Sequence, residues 1–487
     1  MTATLELKDP DLLRDLCLVG GEWVGADRGA TAPVVNPATQ ATIGTVPFFR
    51  GAETRFAIEA AEKALPAWRA TLVKERGRLL RRWFDLVMEN REDLASILTA
   101  EQGKPYQEAL SEVVSGAQFI EWFAEEARRA YGDVIPTSAQ DRRVVVIKQA
   151  IGVCAAITPW NFPNTIVTRK AAAALAAGCT MVIRPASNTP YSALALGELA
   201  QRAGIPAGVL NVVTGHPRDM GLELTTNPAV RKLSFTGSTG VGRLLMAQAA
   251  GTVKKLALEL GGNAPFIVFQ DADIDAAVEG ALASKFRNVG QACVGTNRFY
   301  VHSTVYEEFC SKLADAVGTL RIGNGAEPGI TLGPMIDEDA VAKVESHIDD
   351  AVSKGAQVVV GGRRHQLGGS FFEPTVMINV PASADVAQDE TFGPLAAVFR
   401  FEDEAELIAA ANDTEYGLAA YVYSRDIGRI WRVAEALEVG MVGINVGLMA
   451  NESVPFGGIK QSGTGREGSH YGLDEYLETK YICMGGI

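Results

Sequence analysis

The chain is poor in cysteine and histidine, has a deficit of positive charge and lacks any long apolar run. Its six cysteines, Cys17, Cys154, Cys179, Cys293, Cys310 and Cys483, show no C-x-x-C spacing. A chain of 487 residues buries its own core without covalent staples, so each thiol is expected to be free. The most apolar stretch, 171–183, is thirteen residues broken by Gly178 and Thr180, short of the ~18–20 that cross a bilayer. Glu6, Asp9 and Asp11 stand where a signal peptide needs basic residues, which predicts a cytoplasmic protein. The five histidines are remote from one another, and no H-E-x-x-H, G-x-S-x-G or phosphate-loop pattern occurs. Zinc protease, serine hydrolase and kinase chemistry lose their usual support. Lys plus Arg number 45 against 58 Asp plus Glu, a net charge of −13. Such a surface repels phosphate backbones and anionic lipid, which argues against nucleic acid and membrane as partners.

What is present points to a folded, multi-unit α/β protein. Fifty glycines and 21 prolines are near 15% of the chain, below the ~25–30% of low-complexity sequence. The length is about three times the ~150 residues of a typical domain. From Ala52 the chain reads as surface helices, with Ile58, Ala61, Leu65 and Trp68 at helical spacing and a second face through Leu79, Trp83, Leu86 and Val87. Then β-rich runs at 144–147, 153–157, 181–183, 210–213 and 233–235 alternate with helical stretches at 164–177, 190–203 and 240–250. Parallel neighbours need crossovers, so this alternation predicts a doubly wound nucleotide-binding unit. A second series follows Gly261, with strands near 266–269, 299–301, 358–360 and 419–423. The isolated β segments 143–148 and 476–484 could pair as an arm, available to another subunit.

Several short runs carry chemistry. FTGSTGVG at 235–242 follows an apolar strand and opens a helix, a place for small residues to admit an anion, though a plain strand-to-helix turn uses similar residues. The literal G-x-G-x-x-G of Gly463, Gly465 and Gly468 follows polar residues and leaves too little chain for a βαβ unit, so it is set aside. After the strand at 181–183 come Arg184, Pro185, Ala186 and Ser187, with no acid until Glu198. An adenosine-ribose pocket without a carboxylate accommodates a 2′-phosphate, which favours NADP; an ordinary surface loop would read the same way. Cys293 sits in the small-residue turn GQACVG, where a structural thiol is the commoner role and a nucleophile the alternative. Glu259, inside the apolar run LALELGG, is costly to bury without a task or an ion-pair partner, and burial would raise its pKa into the range of a general base. The Pro-bracketed turn TPWNFP at 158–163 could hold the Asn161 amide toward developing negative charge, or could simply pack Trp160.

Taken in order, TPWNFP, the RPAS variant of K-P-A-S, FTGSTGVG, LELGG, GQAC, ETFGP (390–394) and PFGGIKQSGTGREG (455–468) resemble the NAD(P)-dependent aldehyde dehydrogenase superfamily over nearly the whole chain. The resemblance implies an α/β fold with a Rossmann-type cofactor domain (1–135 and 152–260), a catalytic domain (261–468) and a β oligomerisation arm (136–151 and 469–487), assembled as a homodimer or homotetramer. It implies Cys293 as nucleophile, Glu259 as base and Asn161 as oxyanion donor. Around the cofactor it implies Glu390 and Phe392 at the nicotinamide ribose and ring, Gly237 and Ser238 near the pyrophosphate, Trp160, Arg184 and Ser187 around adenosine, and Thr158 and Leu260 beside them.

FIEWFAEE, WNFPNTIVTRK, LELGGNAPFIVF and EGALASKFRN are most similar to the bacterial NADP-using succinate-semialdehyde dehydrogenases. That likeness implies Arg169 and Arg287 as receptors for the distal carboxylate of succinate semialdehyde, a task suited to the guanidinium fork. Glutarate semialdehyde, 2-oxoglutarate semialdehyde and 3-hydroxypropanal are the alternative substrates, and NAD the alternative cofactor. Three departures stand out: Arg184 replaces a lysine, Ala450 replaces a serine that contacts the carboxylate, and Gly295 stands where many relatives carry a second cysteine.

Overall fold

The computed structural model describes residues 5–487. In the first sheet five parallel strands lie in the order Lys255–Glu259, Val230–Thr236, Val153–Ile157, Thr180–Arg184 and Leu210–Val212. Cys17–Val19 and Glu22–Val24 extend one edge antiparallel, and Gly463–Thr464 caps the other beside Glu259. Every residue of Val153–Ile157 and Thr180–Arg184 is buried, which explains their unbroken apolar character. Alternate side chains serve opposite faces. Cys154, Ala156, Met181 and Ile183 pack with helices Val73–Glu89, Tyr106–Glu126, Thr165–Ala177 and Tyr191–Arg202. Val153, Ala155, Ile157 and Val182 pack with Gly51–Ala70 and Pro217–Thr226. The helices expected at the surface are half-sunk: Ile58, Ala61, Trp68 and Trp83 are all buried.

Chain order fixes where a ligand can enter. From Val153–Ile157 the chain steps outward through Thr180–Arg184 and Leu210–Val212, then returns to place Val230–Thr236 on the other side. The reversal opens a crevice beyond the carboxyl ends of Val153–Ile157 and Val230–Thr236, the position at which open α/β sheets bind ligands.

The second sheet runs Gln357–Val360, Thr375–Ile378, Leu395–Phe401, Thr296–His302, Ala264–Val268, Ala419–Tyr423 and Met441–Ile444, parallel except at its first strand. Leu477–Gly485, Arg142–Ala150 and Asp133–Ile135 form a separate antiparallel arm. This is the fold class expected from the sequence. Strand Asp133–Ile135 belongs to the arm's sheet and Gly463–Thr464 to the first sheet, so both sheets draw on residues outside the ranges read from the sequence. All six cysteines are free.

Candidate active site

The carboxyl ends of three first-sheet strands meet the second sheet at a cavity of about 260 Å³. The turn after Ile157 supplies Pro159, Trp160 and Asn161; the turn after Thr236 supplies Gly237 and Ser238; the strand Lys255–Glu259 ends in Glu259, Leu260 and Gly261. Cys293, Glu390, Phe392 and Lys343 close it from the other side. Close approach explains the double glycine of LELGG. A Cβ on Gly262 would stand 2.5 Å from the Cys293 carbonyl oxygen, and one on Gly261 would stand 2.9 Å from Glu390 Oε2. Glu390 Oε1 accepts from the Gly262 N–H at 3.0 Å. The glycines of GTGREG play a comparable part: a Cβ on Gly463 would lie 1.8 Å from the Leu258 carbonyl, so this glycine serves the strand that carries Glu259 rather than a phosphate.

The electrostatics are those of a dry site. Both carboxylate oxygens of Glu259 are buried without a hydrogen-bond partner. Burial, reinforced by the nearby Glu467 charge, raises its pKa well above the ordinary carboxylate range. Burial pushes the Cys293 thiol up to about 12, helped by the Glu390 and Glu259 charges and opposed by Arg169. Glu390 is raised to about 7 by burial, against the Gly262 hydrogen bond. Asn161 Nδ2 donates to the Gln291 carbonyl at 3.1 Å, which ties its turn to the loop of Cys293. Trp160 and Phe392 meet edge-on, ring centroids 5.5 Å apart. Trp160, grouped on sequence with the adenosine residues, therefore lines the same cavity as Cys293 and Phe392.

Residues 23–482 match the model of the Aldehyde dehydrogenase family. The chain is 65% identical to a glutarate-semialdehyde dehydrogenase of Pseudomonas aeruginosa, over 99% of this chain and 100% of that protein. It is 62% identical to succinate-semialdehyde dehydrogenase [NADP(+)] of Escherichia coli, over 99% of this chain and 100% of the other. A crystal structure of an E. coli NADP-dependent enzyme superposes with a TM-score of 0.98 at 61% identity, covering 99% of this chain and 100% of that one. The chain belongs to the aldehyde dehydrogenase family.

In this NAD(P)-dependent aldehyde dehydrogenase the crevice fits a dinucleotide. The hydroxyls of Thr158 and Thr236 and Nε of Arg184 are buried without partners, at the carboxyl ends of three adjacent parallel strands. Ser238 precedes the helix Thr239–Ala249, whose N-terminal amides face the crevice end of the sheet. Arg184 Nη2 donates to Ser187 Oγ at 2.8 Å, and burial lowers the guanidinium pKa to about 10. Arg184 and Ser187 lie one strand away from the cavity around Cys293, and Thr158 donates its N–H to the Arg184 carbonyl at 3.1 Å.

The residues read as substrate receptors are not among those that line this cavity. Arg169 is buried between the rings of Phe119 and Phe456, 4.7 and 4.4 Å from their centroids, and Nη1 stands 3.3 Å from Glu467 Oε2. Arg287 stacks over Phe162 at 4.9 Å. Ala450 is exposed, in the segment between Ile444 and Pro455. Sequence reasoning missed Lys343, which the helix Glu338–Ser353 carries to the cavity. It also missed the buried pair Lys170–Glu467, in which Lys170 Nζ further donates to Ser234 Oγ at 2.9 Å. Burial works to raise Glu467, but Lys170 and then Arg169 outweigh it and hold its pKa down. Glu467 lies inside GTGREG, the run whose glycines imitate G-x-G-x-x-G; an acid among those glycines is the available signal.

Proposed function

We propose that this enzyme oxidises succinate semialdehyde to succinate with NADP, and that the five-carbon glutarate semialdehyde competes for the same site. The observation that carries the reading is a pair of arginines held by aromatic rings, Arg169 on the helix that follows Asn161 and Arg287 six residues before Cys293. The Arg169 charge acts on the Cys293 thiol, and Arg287 and Cys293 both act on Tyr421, whose hydroxyl donates to the Val294 carbonyl at 2.8 Å. A linear aldehyde bound with its carbonyl at Cys293 presents its far carboxylate to these guanidiniums. Arg287 contributes more, because Arg169 is already shared with Glu467. Two of the relatives act, by name, on aldehydes with a terminal carboxylate, one a carbon longer than the other. Ala450 offers no hydroxyl to fix the shorter chain, which supports overlap between the two substrates.

The chemistry follows from the site. Cys293 is a thiol at neutral pH and needs a base; Glu259, with its pKa raised, accepts its proton. The thiolate adds to the aldehyde carbon, and the oxyanion of the thiohemiacetal is held by the free N–H of the Asn161 amide and the Cys293 main-chain N–H. When bound, the nicotinamide accepts the hydride that this carbon gives up. Glu259 then releases the first proton to solvent; water attacks the remaining thioester on Cys293 as Glu259 takes a proton from it and passes that proton to the departing sulfur, which restores the thiol, and the acid product leaves as its carboxylate with loss of the second proton. One aldehyde and one water thus give one carboxylate, one hydride and two protons. Trp160 and Phe392 exclude water from the cavity mouth. Glu390 and Lys343 face the same side and suit the hydroxyls of the nicotinamide ribose. Arg184 and Ser187, with no acid beside them, suit a 2′-phosphate.

The test is a comparison of kcat/KM for succinate semialdehyde, glutarate semialdehyde and butanal. A charge-assisted contact contributes about 1.5–3 kcal/mol, so the two semialdehydes are expected to exceed butanal by about 10–100-fold. Equal values remove carboxylate recognition.

A further inference from the structure

We propose that Asn288 is a positioning residue that sets the spacing between the two donors of the oxyanion site; the inference rests on the roles given above to Asn161 and the Cys293 N–H. Asn288 is fully buried. Its Nδ2 donates to the Asn161 carbonyl at 3.0 Å and to the Gln291 carbonyl at 3.2 Å. The Gln291 carbonyl also accepts the Asn161 side-chain amide, at 3.1 Å. One amide group therefore touches the main chain of both walls, the turn that carries Asn161 and the loop that carries Cys293.

The backbone is arranged around this contact. Asn288 and Val289 both adopt left-handed dihedrals, φ 51° and 59°, and Gly290 follows at φ 75°. Asparagine tolerates that region, whereas a β-branched valine there is strained and persists only where its surroundings over-determine it. The surroundings do so. The Asn288 N–H donates to Glu108 Oε2 at 2.8 Å, its carbonyl accepts the Gln291 N–H at 3.0 Å and Gln291 Nε2 at 3.1 Å, and Gln291 Oε1 accepts the Ile336 N–H at 2.9 Å. From the other wall, Lys104 Nζ donates to the Asn161 carbonyl at 2.7 Å while paired with Glu112 at 2.6 Å. The left-handed turn aims the Asn288 amide at the seam between the walls. Without it, the side-chain hydrogen bonding between the Asn161 turn and the Cys293 loop falls to the bond from Asn161 itself, beside the stacking of Arg287 on Phe162, and the two donors can drift apart.

Asn288→Gly keeps the left-handed backbone and removes the bridge. The readouts are kcat for aldehyde oxidation, hydrolysis of p-nitrophenyl acetate, which acylates Cys293 without hydride transfer, and the Kd of NADP. The expected result is a loss on the order of 10–100-fold in both rates, from misplacement of well-folded donors, with the Kd within about twofold. In an Asn161→Ala background the same change should cost less than about threefold, because the donor being positioned is already gone. If the glycine variant fails to fold, Asn288→Asp, which keeps size and left-handed tolerance, takes the same measurements. Rates within about threefold of the parent, or equal fractional losses in the two backgrounds, overturn the role of Asn288 while leaving Asn161 in place. An Asn161→Ala enzyme that is itself unimpaired removes the oxyanion reading, and with it the reason for Asn288.

Discussion

Glu259 shows how one residue trades stability for chemistry. Its carboxyl prefers the protonated form in the folded protein, so as pH rises above the ordinary carboxylate value the unfolded chain ionises first and the folded state loses ground until the raised pKa is passed. Glu259→Gln abolishes that loss. The thermal midpoint of the variant is expected to equal that of the parent in acid and to exceed it increasingly toward neutral and alkaline pH, as a melting series would show. In the mechanism proposed above the same shift governs turnover, because deacylation needs the carboxylate. The acid limb of the deacylation rate should lie above the usual carboxylate range, and the Gln variant should lose about 10²–10⁴ in rate and accumulate acyl-Cys293, visible by mass spectrometry of quenched enzyme. A limb near 4.5 contradicts the buried base. At the end of the crevice proposed to hold the adenosine, Ser187→Glu places a carboxylate against the desolvated Arg184. NADP affinity is then expected to fall by about 10–100-fold with NAD little changed, read as two Kd values by fluorescence titration. Cys293, Glu259 and Asn161 were legible because each is a reactive or polar type in an apolar or glycine-rich run. Lys343 was not, since a lysine on an amphipathic helix resembles any solvated residue until the helix is docked.

Among elements, the strand Lys255–Glu259 and its glycine turn link the two sheets, and the tolerance there is small. Gly262→Ala sets a methyl carbon 2.5 Å from the Cys293 carbonyl. Overpacking costs about 1–3 kcal/mol, and here the relief is displacement of the Cys293 loop. The variant should melt lower and lose kcat while binding NADP normally, as calorimetry and kinetics together would establish. Strands such as Val153–Ile157 and Ala419–Tyr423 could be read in advance as short, unbroken apolar runs bounded by turns. Leu395–Phe401 could not, although it lies inside the second sheet: Arg400 breaks its apolar run, and burial against neighbours supplies what the local pattern lacks.

For the whole molecule, the arm is the feature that an isolated chain leaves unfinished. Along Leu477–Gly485 every residue after Leu477 is exposed, including Tyr481, Ile482 and Met484, and among the described residues the strand's outer edge carries no neighbour. A long apolar edge of this kind is a liability unless another chain covers it. Sedimentation is therefore expected to give a multiple of the 51.8 kDa chain mass, and Ile482→Glu to shift the population toward the monomer; a parent enzyme that sediments as a monomer contradicts this. The sequence by itself determined the fold class and the family, and it singled out Cys293, Glu259 and Asn161, which line one cavity, because ordered motifs constrain local backbone and local chemistry. Only the tertiary structure decided that Trp160 stands beside Phe392, that Glu467 answers Lys170 across nearly 300 residues, and that Asn288 joins two walls. Those are contacts between distant segments, and their energy depends on burial and approach that no short window of sequence contains.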